Sequence, residues 1–339
     1  MVYIYLLIII IIIILSIYSI VYIKNIVNYR YIDIVYTWVN GNDKKLILNR
    51  NKYKKFYKNL SIDSISSNRY RDNLELKYSI RSIQKHIKWV NNIYIVTDNQ
   101  IPEWLNTNNT RITIIDHKDI FQNKNHLPSF NSNAIECNIP FIRGLSNYYI
   151  YMNDDFFFGK NIDPSFFIEN GYINFNISSV KNEEYLYKAR NQNVYKYQLY
   201  NNFQFLKSIG YQDKVYMPIH QATMFDKYLY IDFLKKYKKI YEITSKAKFR
   251  NNKTYHINGI MCLYQLMKNK SKVKNNIDSL VVSITDDVDT NFVEFALIKV
   301  YKPSLYCIND DIKNKNETIA QQYKIFFESI LPEKSDYEN

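Results

Sequence analysis

The chain has 339 residues, of which 47% are hydrophobic and 16% aromatic. This is enough apolar material for one large folded domain or two small ones, and it excludes a disordered tail. The formal net charge of +13 suits an anionic partner. The basic residues form no RNP, zinc-finger or basic-zipper pattern, so we expect no binding of nucleic acid.

The N-terminal run from Val2 to Ile23 has no charged residue and consists mainly of Ile, Leu, Val and Tyr. Such a run is long enough to cross a bilayer as a helix. A cleaved signal peptide is disfavoured, because no basic residue precedes the run and no small-x-small site follows it. We therefore predict a single-pass membrane anchor over residues 1–25. Lys24 and Arg30 favour a cytosolic catalytic part, whereas a Golgi-type anchor would reverse the orientation.

The next segments alternate between strands and helices. A buried strand is predicted over residues 32–39 because β-branched and aromatic residues are enriched there, and a basic helix follows over residues 44–58. A second helix is predicted to begin at Asp72, with Glu75 as capping-box partner and an apolar stripe of Leu76, Ile80, Ile83 and Ile87. Further strands are predicted over residues 93–97, 111–115 and 148–152. This alternation indicates an α/β fold with a Rossmann-like, mostly parallel sheet.

The fourth strand leads directly into Asn153-Asp154-Asp155, which three phenylalanines follow. Adjacent carboxylates at a strand end are suited to hold a divalent cation against a diphosphate, and hard oxygen ligands select Mg²⁺ or Mn²⁺. Open sheets of this kind bind ligands at the carboxyl ends of their strands. An ordinary acidic turn is the alternative interpretation.

Four blocks of sequence, in the order found in one known family, carry a resemblance that spans roughly residues 30–315. The blocks are residues 32–43, residues 71–155, Met217-Pro218-Ile219-His220 with the later Lys248-Phe249-Arg250, and residues 306–311. The chain resembles the Stealth family, which includes bacterial capsular polysaccharide phosphotransferases and the catalytic subunit of the lysosomal-enzyme GlcNAc-1-phosphotransferase. Asn99 stands where Gly is usual and Ser129 where Thr is common, and neither change removes a group that the chemistry requires.

The resemblance implies transfer of a hexose-1-phosphate, such as GlcNAc-1-phosphate, from a UDP-sugar to a hydroxyl of a glycan or polysaccharide acceptor, with release of UMP. Asp155, His220 and Arg250 are then the predicted catalytic residues. Asp155 would hold the metal, Arg250 would contact phosphate oxygens with its planar fork, and His220 would accept the acceptor's proton or attack phosphorus itself. Without the resemblance, His220 would be interpreted as structural and Arg250 as a surface residue.

Further residues are predicted to bind metal or substrate. Asp310 and Asp311 join Asp154 and Asp155 as predicted metal ligands, or they begin a turn before the last helix. The uridine is expected over the end of the first strand, where Trp38 either contacts the base or packs in the core. His117, at a strand end, is the one remaining histidine expected near the site. The predicted substrate-binding residues are Thr37, Trp38, Asn40, Gly41, Asp43, Arg71, Asp98, Gln100, Ser132, Glu136, Asn153 and Asn309.

The predicted division of the chain is an anchor over 1–25, a transferase domain over 30–315 with an acceptor-side insertion or lid over 160–215, and a C-terminal helix and tail over 316–339. No GxGxxG or Walker A motif occurs, so dinucleotide and ATP sites lose their main support. The three cysteines form no CxxC pair and are expected to be small buried side chains. Two other functions stay open: a metal-dependent glycosyltransferase that releases UDP, and a non-catalytic membrane protein that binds anionic glycans.

Overall fold

The computed structural model describes residues 9–16, 31–57, 60–275, 277–314 and 316–339. Within these residues the strands and helices alternate along most of the chain. The strands are β1 (Ile32–Thr37), β2 (Ile93–Thr97), β3 (Ile112–Asp116), β4 (Tyr148–Asn153), β5 (Phe156–Phe158), β6 (Ile168–Glu169), β7 (Tyr172–Lys181), β8 (Val215–Pro218), β9 (Thr223–Asp226), β10 (Ser271–Lys274), β11 (Ser279–Ile284) and β12 (Leu305–Asp310). The helices after residue 31 are α1 (Lys44–Lys54), α2 (Ile62–Ile65), α3 (Glu75–His86), α4 (His117–Ile120), α5 (Ser132–Glu136), α6 (Glu183–Ala189), α7 (Val194–Ser208), α8 (Lys227–Lys236), α9 (Lys238–Lys246), α10 (Ile257–Met267), α11 (Val288–Tyr301) and α12 (Glu317–Ile330).

The central sheet has the strand order β3-β2-β1-β4-β9. Its first four strands are parallel, and β9 is antiparallel to β4. Two smaller sheets flank it, one with the order β10-β7-β6 and β8 paired to β7, the other with the order β11-β12-β5. The chain leaves the central sheet at the end of β4 and enters the third sheet after two residues, because β5 pairs with β12.

Strand β1 lies at the centre because both of its faces are apolar. Ile34 and Tyr36 pack into the core on one side of the sheet, and Val35 packs into the core on the other. Buried parallel strands have such continuous apolar runs. The one acid in the strand, Asp33, is fully buried and accepts hydrogen bonds from the side chain of Asn91 and from the main-chain N–H groups of Asn92 and Ser146. These bonds offset its desolvation and fix the start of β1 between its neighbours.

Helix α3 buries the predicted stripe of Leu76, Ile80 and Ile83 against one face of the central sheet. Its predicted start is wrong. The helix begins at Glu75 after Leu74, which has a left-handed conformation with φ of 71°. Asp72 does not cap the helix, since its carboxylate accepts hydrogen bonds from the Leu74 N–H and the Trp38 indole.

The predicted fold class needs two corrections. The structure is a mixed α/β fold with three sheets and antiparallel pairs in each, where the sequence favoured a single, mostly parallel sheet. In addition, no helix in the described ranges is long and apolar enough to cross a membrane, which contradicts the predicted anchor and the single-pass localisation. Residues 9–16 are helical and extend about 12 Å, against a hydrocarbon core of about 30 Å. The other residues of the predicted span, 2–8 and 17–23, lie outside the described residues.

The C-terminal tail packs against helix α3 and the segment that follows β2. After α12, the main-chain carbonyl of Tyr337 accepts from the Asn106 N–H at 2.8 Å, and Glu338 forms a bridge with Leu105. The carboxylate of Glu338 receives two hydrogen bonds of 2.8 Å from the guanidinium of Arg81 on α3. Both side chains are buried, so this ion pair fastens the tail to the helix that covers the central sheet.

Stability should depend on pH through Glu338. Burial raises the pKa of this carboxyl, but the hydrogen bonds from Arg81 and Ser335 outweigh it and lower the pKa to about 2. The stabilisation is therefore present above the ordinary value of 4.5 and is lost as the pH falls through about 2. At neutral pH, Glu338→Gln should cost about 3–5 kcal/mol in free energy of unfolding, because it leaves the buried Arg81 unpaired.

Denaturant unfolding at a series of pH values measures this difference. Glu184→Gln is the matched control, because Glu184 pairs with Lys188 on an exposed helix surface, and such a pair contributes at most about 1 kcal/mol. The difference between wild type and Glu338→Gln should narrow as the pH falls below about 4. A difference in free energy of unfolding that stays constant down to a pH of about 2 would contradict the lowered pKa of Glu338.

Candidate active site

A pocket of about 580 Å³ lies at the carboxyl ends of β1, β2 and β4. Parallel strands end at the same edge of a sheet, so the polar residues that follow them converge there. The end of β12 completes the wall, because β5 brings the third sheet against the end of β4. The predicted site residues that line the pocket are Thr37, Trp38, Arg71, Asp98, Ser132, Asn153, Asp154, Asp155, His220, Arg250, Asn309, Asp310 and Asp311.

One wall of the pocket is acidic. Burial raises the pKa of Asp154 and of Asp155, and for Asp154 the neighbouring charge of Asp155 adds to the effect. The Oδ1 atom of Asp155 is buried and has no hydrogen-bond partner in the described part of the chain. Its Oδ2 atom accepts from the thiol of Cys307, with 3.6 Å between oxygen and sulfur. An orphaned carboxylate oxygen next to a second carboxylate fits a divalent cation.

Asp310 differs from the other predicted metal ligands. Both of its carboxylate oxygens accept from Arg71, at 2.6 and 2.8 Å, and the Ile312 N–H donates to it as well. The pair is almost wholly shielded from solvent, so the charge of Asp310 is already compensated. The sequence suggested Arg71 as a substrate ligand, but its guanidinium forms this ion pair. Asp311, in contrast, is exposed and lines the pocket.

Arg250 and His220 line the same pocket. Arg250 donates to the Ser132 hydroxyl, and its charge opposes the effect of burial on the pKa of Glu136. His220 lies in the loop between β8 and β9, where its ring is open to the pocket. The ring is perpendicular to that of Phe156, with 5.0 Å between the ring centroids. Desolvation by the surrounding protein lowers the pKa of His220 to about 4, and the positive charge of Arg250 makes a smaller contribution. The imidazole is therefore neutral near pH 7 and can accept a proton.

Five predicted substrate residues lie outside the pocket wall and shape the loops around it. Asn40 and Gln100 tie the ends of β1 and β2 together through two hydrogen bonds, at 2.9 and 3.2 Å. Asp43 caps helix α1 by accepting from the Leu46 N–H at 2.6 Å. Glu136 is 5% exposed, and its Oε1 atom accepts a hydrogen bond from the Tyr151 hydroxyl at 3.4 Å. Gly41 packs directly against the main chain of Tyr70.

Trp38 combines the two roles that the sequence left open. Its side chain is only 6% exposed and packs in the core below the central sheet, yet its edge lines the pocket. The indole N–H donates to Asp72 at 3.2 Å. Packing and this hydrogen bond therefore hold the ring in place at the mouth of the site.

Several pocket residues escaped the sequence analysis. Arg69 stands just before the second family block, and Glu75 was interpreted only as a helix cap. Burial, together with the nearby charge of Asp72, raises the pKa of Glu75 to about 8. Tyr195 comes from helix α7 in the region 160–215, where no motif pointed to the site. His117 lines the pocket, as expected from its position at the end of β3.

Comparison with known proteins adds to this geometry. Residues 30–56 match Stealth protein conserved region 1, and residues 69–176 match conserved region 2. The capsular polysaccharide phosphotransferase fcs1 of Haemophilus influenzae is 30% identical over 301 residues, which cover 87% of this chain and 82% of that protein. The chain belongs to the Stealth family. The resemblance seen in the sequence is thereby confirmed, and the prediction of a phosphotransferase agrees with the name of this relative.

A second relative matches a shorter part of the chain. The N-acetylglucosamine-1-phosphotransferase subunits alpha/beta of Mus musculus are 55% identical over 105 residues, which make up 31% of this chain but only 8% of the mouse protein. Among solved structures, the galactosyltransferase LgtC has a TM-score of 0.41 and 11% identity, covering 88% of this chain and 96% of that one.

The two matched Stealth regions hold only part of the pocket. Asp98, Ser132 and Asp155 lie within conserved region 2. His220, Arg250 and Asn309 follow it in sequence, and the fold brings them to the same pocket.

Gly41→Ala should disturb the pocket through the main chain. A methyl group at this position would lie 1.9 Å from the carbonyl oxygen of Tyr70, whose backbone leads into Arg71. We expect a loss of about 1–3 kcal/mol in free energy of unfolding from the overpacking, together with weaker binding of the uridine nucleotide that the sequence resemblance implies, measured by calorimetry. Gly171→Ala is the control: no atom lies within 4 Å of its added methyl, and its φ of +80° affects stability alone. Equal nucleotide affinity in both variants would show that Gly41 has no part in shaping the pocket.

Proposed function

We propose that the chain transfers a sugar-1-phosphate from a UDP-sugar to a hydroxyl of a glycan and releases UMP. The observation that carries this proposal is that two acids and two basic side chains line one pocket. Asp154 and Asp155 are the acids, and Arg250 and His220 are the basic side chains. A nucleotide diphosphate needs both, since carboxylates would hold the cation that neutralises its oxygens and basic donors would bind its transferred phosphoryl group.

The acidic wall would hold Mg²⁺ or Mn²⁺. Asp155 offers its unpartnered Oδ1, Asp154 stands beside it, and Asp311 is exposed towards the same space. When bound, such an ion neutralises charge on the diphosphate oxygens. The carboxylates themselves orient the diphosphate by fixing where that charge is placed. Their main chain is held by the Ile308 N–H, which donates to the Asp155 carbonyl at 3.1 Å.

Phosphoryl transfer also needs donors for the non-bridging oxygens and a group that handles the acceptor's proton. The guanidinium of Arg250 supplies a planar fork, and its bond to Ser132 orients it. The neutral imidazole of His220 accepts the proton of the acceptor hydroxyl, or it attacks phosphorus and forms a phosphohistidine. Tyr195, from the region 160–215, lies on the pocket wall with these two groups and suits the acceptor side.

The nucleotide product tests the reaction. Purified protein with Mg²⁺, a panel of UDP-sugars and a glycan acceptor should release UMP, because the bond broken lies inside the diphosphate. Release should stop in a chelator and fall sharply in Asp155→Asn, since an amide cannot neutralise a cation. Asp232→Asn, at an exposed helix position, should leave the rate unchanged. Release of UDP would instead establish a glycosyltransferase.

His220→Ala should lower kcat by about 10²–10⁴ while the affinity for the UDP-sugar stays nearly intact, because the histidine acts on the acceptor's proton and not on the uridine. Arg250→Lys keeps the charge but loses the fork, so kcat should fall there too. His86→Ala and Arg190→Lys change the same residue types outside the pocket and serve as controls. Steady-state kinetics and direct donor binding separate the two effects.

Donor incubated without acceptor distinguishes the two roles of His220. A phosphohistidine route releases UMP at once and leaves an acid-labile sugar-phosphate on the protein, whereas direct attack does neither. If His220→Ala turns over at the wild-type rate, both routes are wrong.

A further inference from the structure

Three metal-binding side chains from three separate segments meet where Asp155 and His220 line the pocket. Asp155 follows β4, His220 lies between β8 and β9, and Cys307 belongs to β12. One ligand atom from each, a carboxylate oxygen, an imidazole nitrogen and the Sγ atom, all lie within 4.8 Å of one another.

Main-chain pairing fixes two of these three residues. Cys307 stands opposite Phe156 in the antiparallel pair of β12 and β5, so it is next to Asp155. The hydrogen bond from the Ile308 N–H to the Asp155 carbonyl closes the same register. The third residue, His220, lies in a loop, is exposed to the pocket and contacts the Phe156 ring.

The three donors do not form the set that Mg²⁺ prefers. Magnesium takes oxygen ligands in near-octahedral geometry and keeps several waters. A thiolate, an imidazole and a carboxylate are instead the ligands of Zn²⁺ and of its spectroscopic substitute Co²⁺. Three protein ligands with one open position are typical of zinc sites that exchange a water or a substrate.

We propose that Asp155, His220 and Cys307 form a binding site for a borderline transition-metal ion, with Zn²⁺ as its ligand. Zinc bonds of about 2.0–2.3 Å place ligand atoms about 3–4 Å apart around the ion. The present separation of up to 4.8 Å is therefore closed by a movement of about 1 Å. Rotation of the exposed His220 supplies it.

Binding exchanges one bond for another at sulfur. The S–H bond of Cys307, which now points to Asp155 Oδ2, breaks and an S–Zn bond forms. The proton leaves to solvent, and no change of oxidation state is involved. The side chain of Asn309, with its Oδ1 atom 3.7 Å from Sγ, remains beside the sulfur.

The bound ion inhibits transfer. It occupies Asp155, which the proposed reaction needs for the diphosphate, and it takes the lone pair of His220 that would receive the acceptor's proton. The inhibition rests on the proposed function, whereas the binding of the ion does not. The site would make the enzyme sensitive to the concentration of free Zn²⁺.

Titration of the full chain with Co²⁺ tests the site without any turnover. A thiolate ligand gives a sulfur-to-cobalt charge-transfer band in the near ultraviolet, and Zn²⁺ should abolish the band by displacing Co²⁺, whereas excess Mg²⁺ should not. Cys307→Ser should remove the band. Cys262→Ser is the matched control, because Cys262 is also a free buried thiol but lies in helix α10, and it should keep the band.

His220→Ala provides a second measurement, at an exposed loop position. Loss of a ligand should weaken Co²⁺ binding by at least about 100-fold, the upper end of what losing an outer-shell partner costs. A band that survives in Cys307→Ser, the absence of any band in folded wild type, or an unchanged Co²⁺ affinity in His220→Ala would each overturn the proposal.

The two proposals fail separately. An inactive wild type that shows the cobalt band contradicts the proposed function and leaves the metal site standing. A turnover rate that is unchanged by a saturating concentration of Zn²⁺ refutes the inhibition.

Discussion

The pairing of β5 with β12 is the constraint on which the site depends. Strand β4 belongs to the central sheet and β5 to the third sheet, and only Asp154 and Asp155 lie between them. The two acids therefore occupy a turn whose ends are both fixed by main-chain hydrogen bonds. The same pairing brings Cys307 and Asn309 beside the turn, so one register joins residues that are about 150 positions apart.

The acids of the chain differ in whether a basic side chain compensates their charge. Two acids of the chain are satisfied by buried arginines, Asp310 by Arg71 and Glu338 by Arg81, and these pairs hold the third sheet and the tail in place. Asp155 keeps an oxygen without a partner. A net charge of +13 offers the fold many cations, so an acid left unpaired in a buried turn indicates a place for an added cation and not a shortage of bases.

The sequence predicted well what periodicity and local motifs carry. The four parallel strands, the stripe on α3 and the acids after β4 follow from runs of apolar residues and their ends. It failed where partners are distant in the chain. No local sequence pattern shows the hydrogen bond between Gln100 and Asn40 or the ion pair between Arg71 and Asp310. The contact between Cys307 and Asp155 is equally hidden. The predicted helix cap at Asp72 was wrong because the Asp72 carboxylate accepts a hydrogen bond from the Trp38 indole. This contact joins two loops, and sequence patterns of helix ends do not reveal it.

The acidic turn also couples ligand binding to stability. Burial raises the pKa of both Asp154 and Asp155, and repulsion from the charges of Asp155 and Glu75 adds to the effect on Asp154. The surrounding main-chain bonds hold them together in spite of this repulsion, so the carboxylates are arranged before any ligand arrives. A cation that binds there relieves the repulsion in the folded state alone, and it must therefore stabilise the fold as well as prepare the pocket. Which ion does so depends on whether oxygen atoms only, or also the nitrogen of His220 and the sulfur of Cys307, take part.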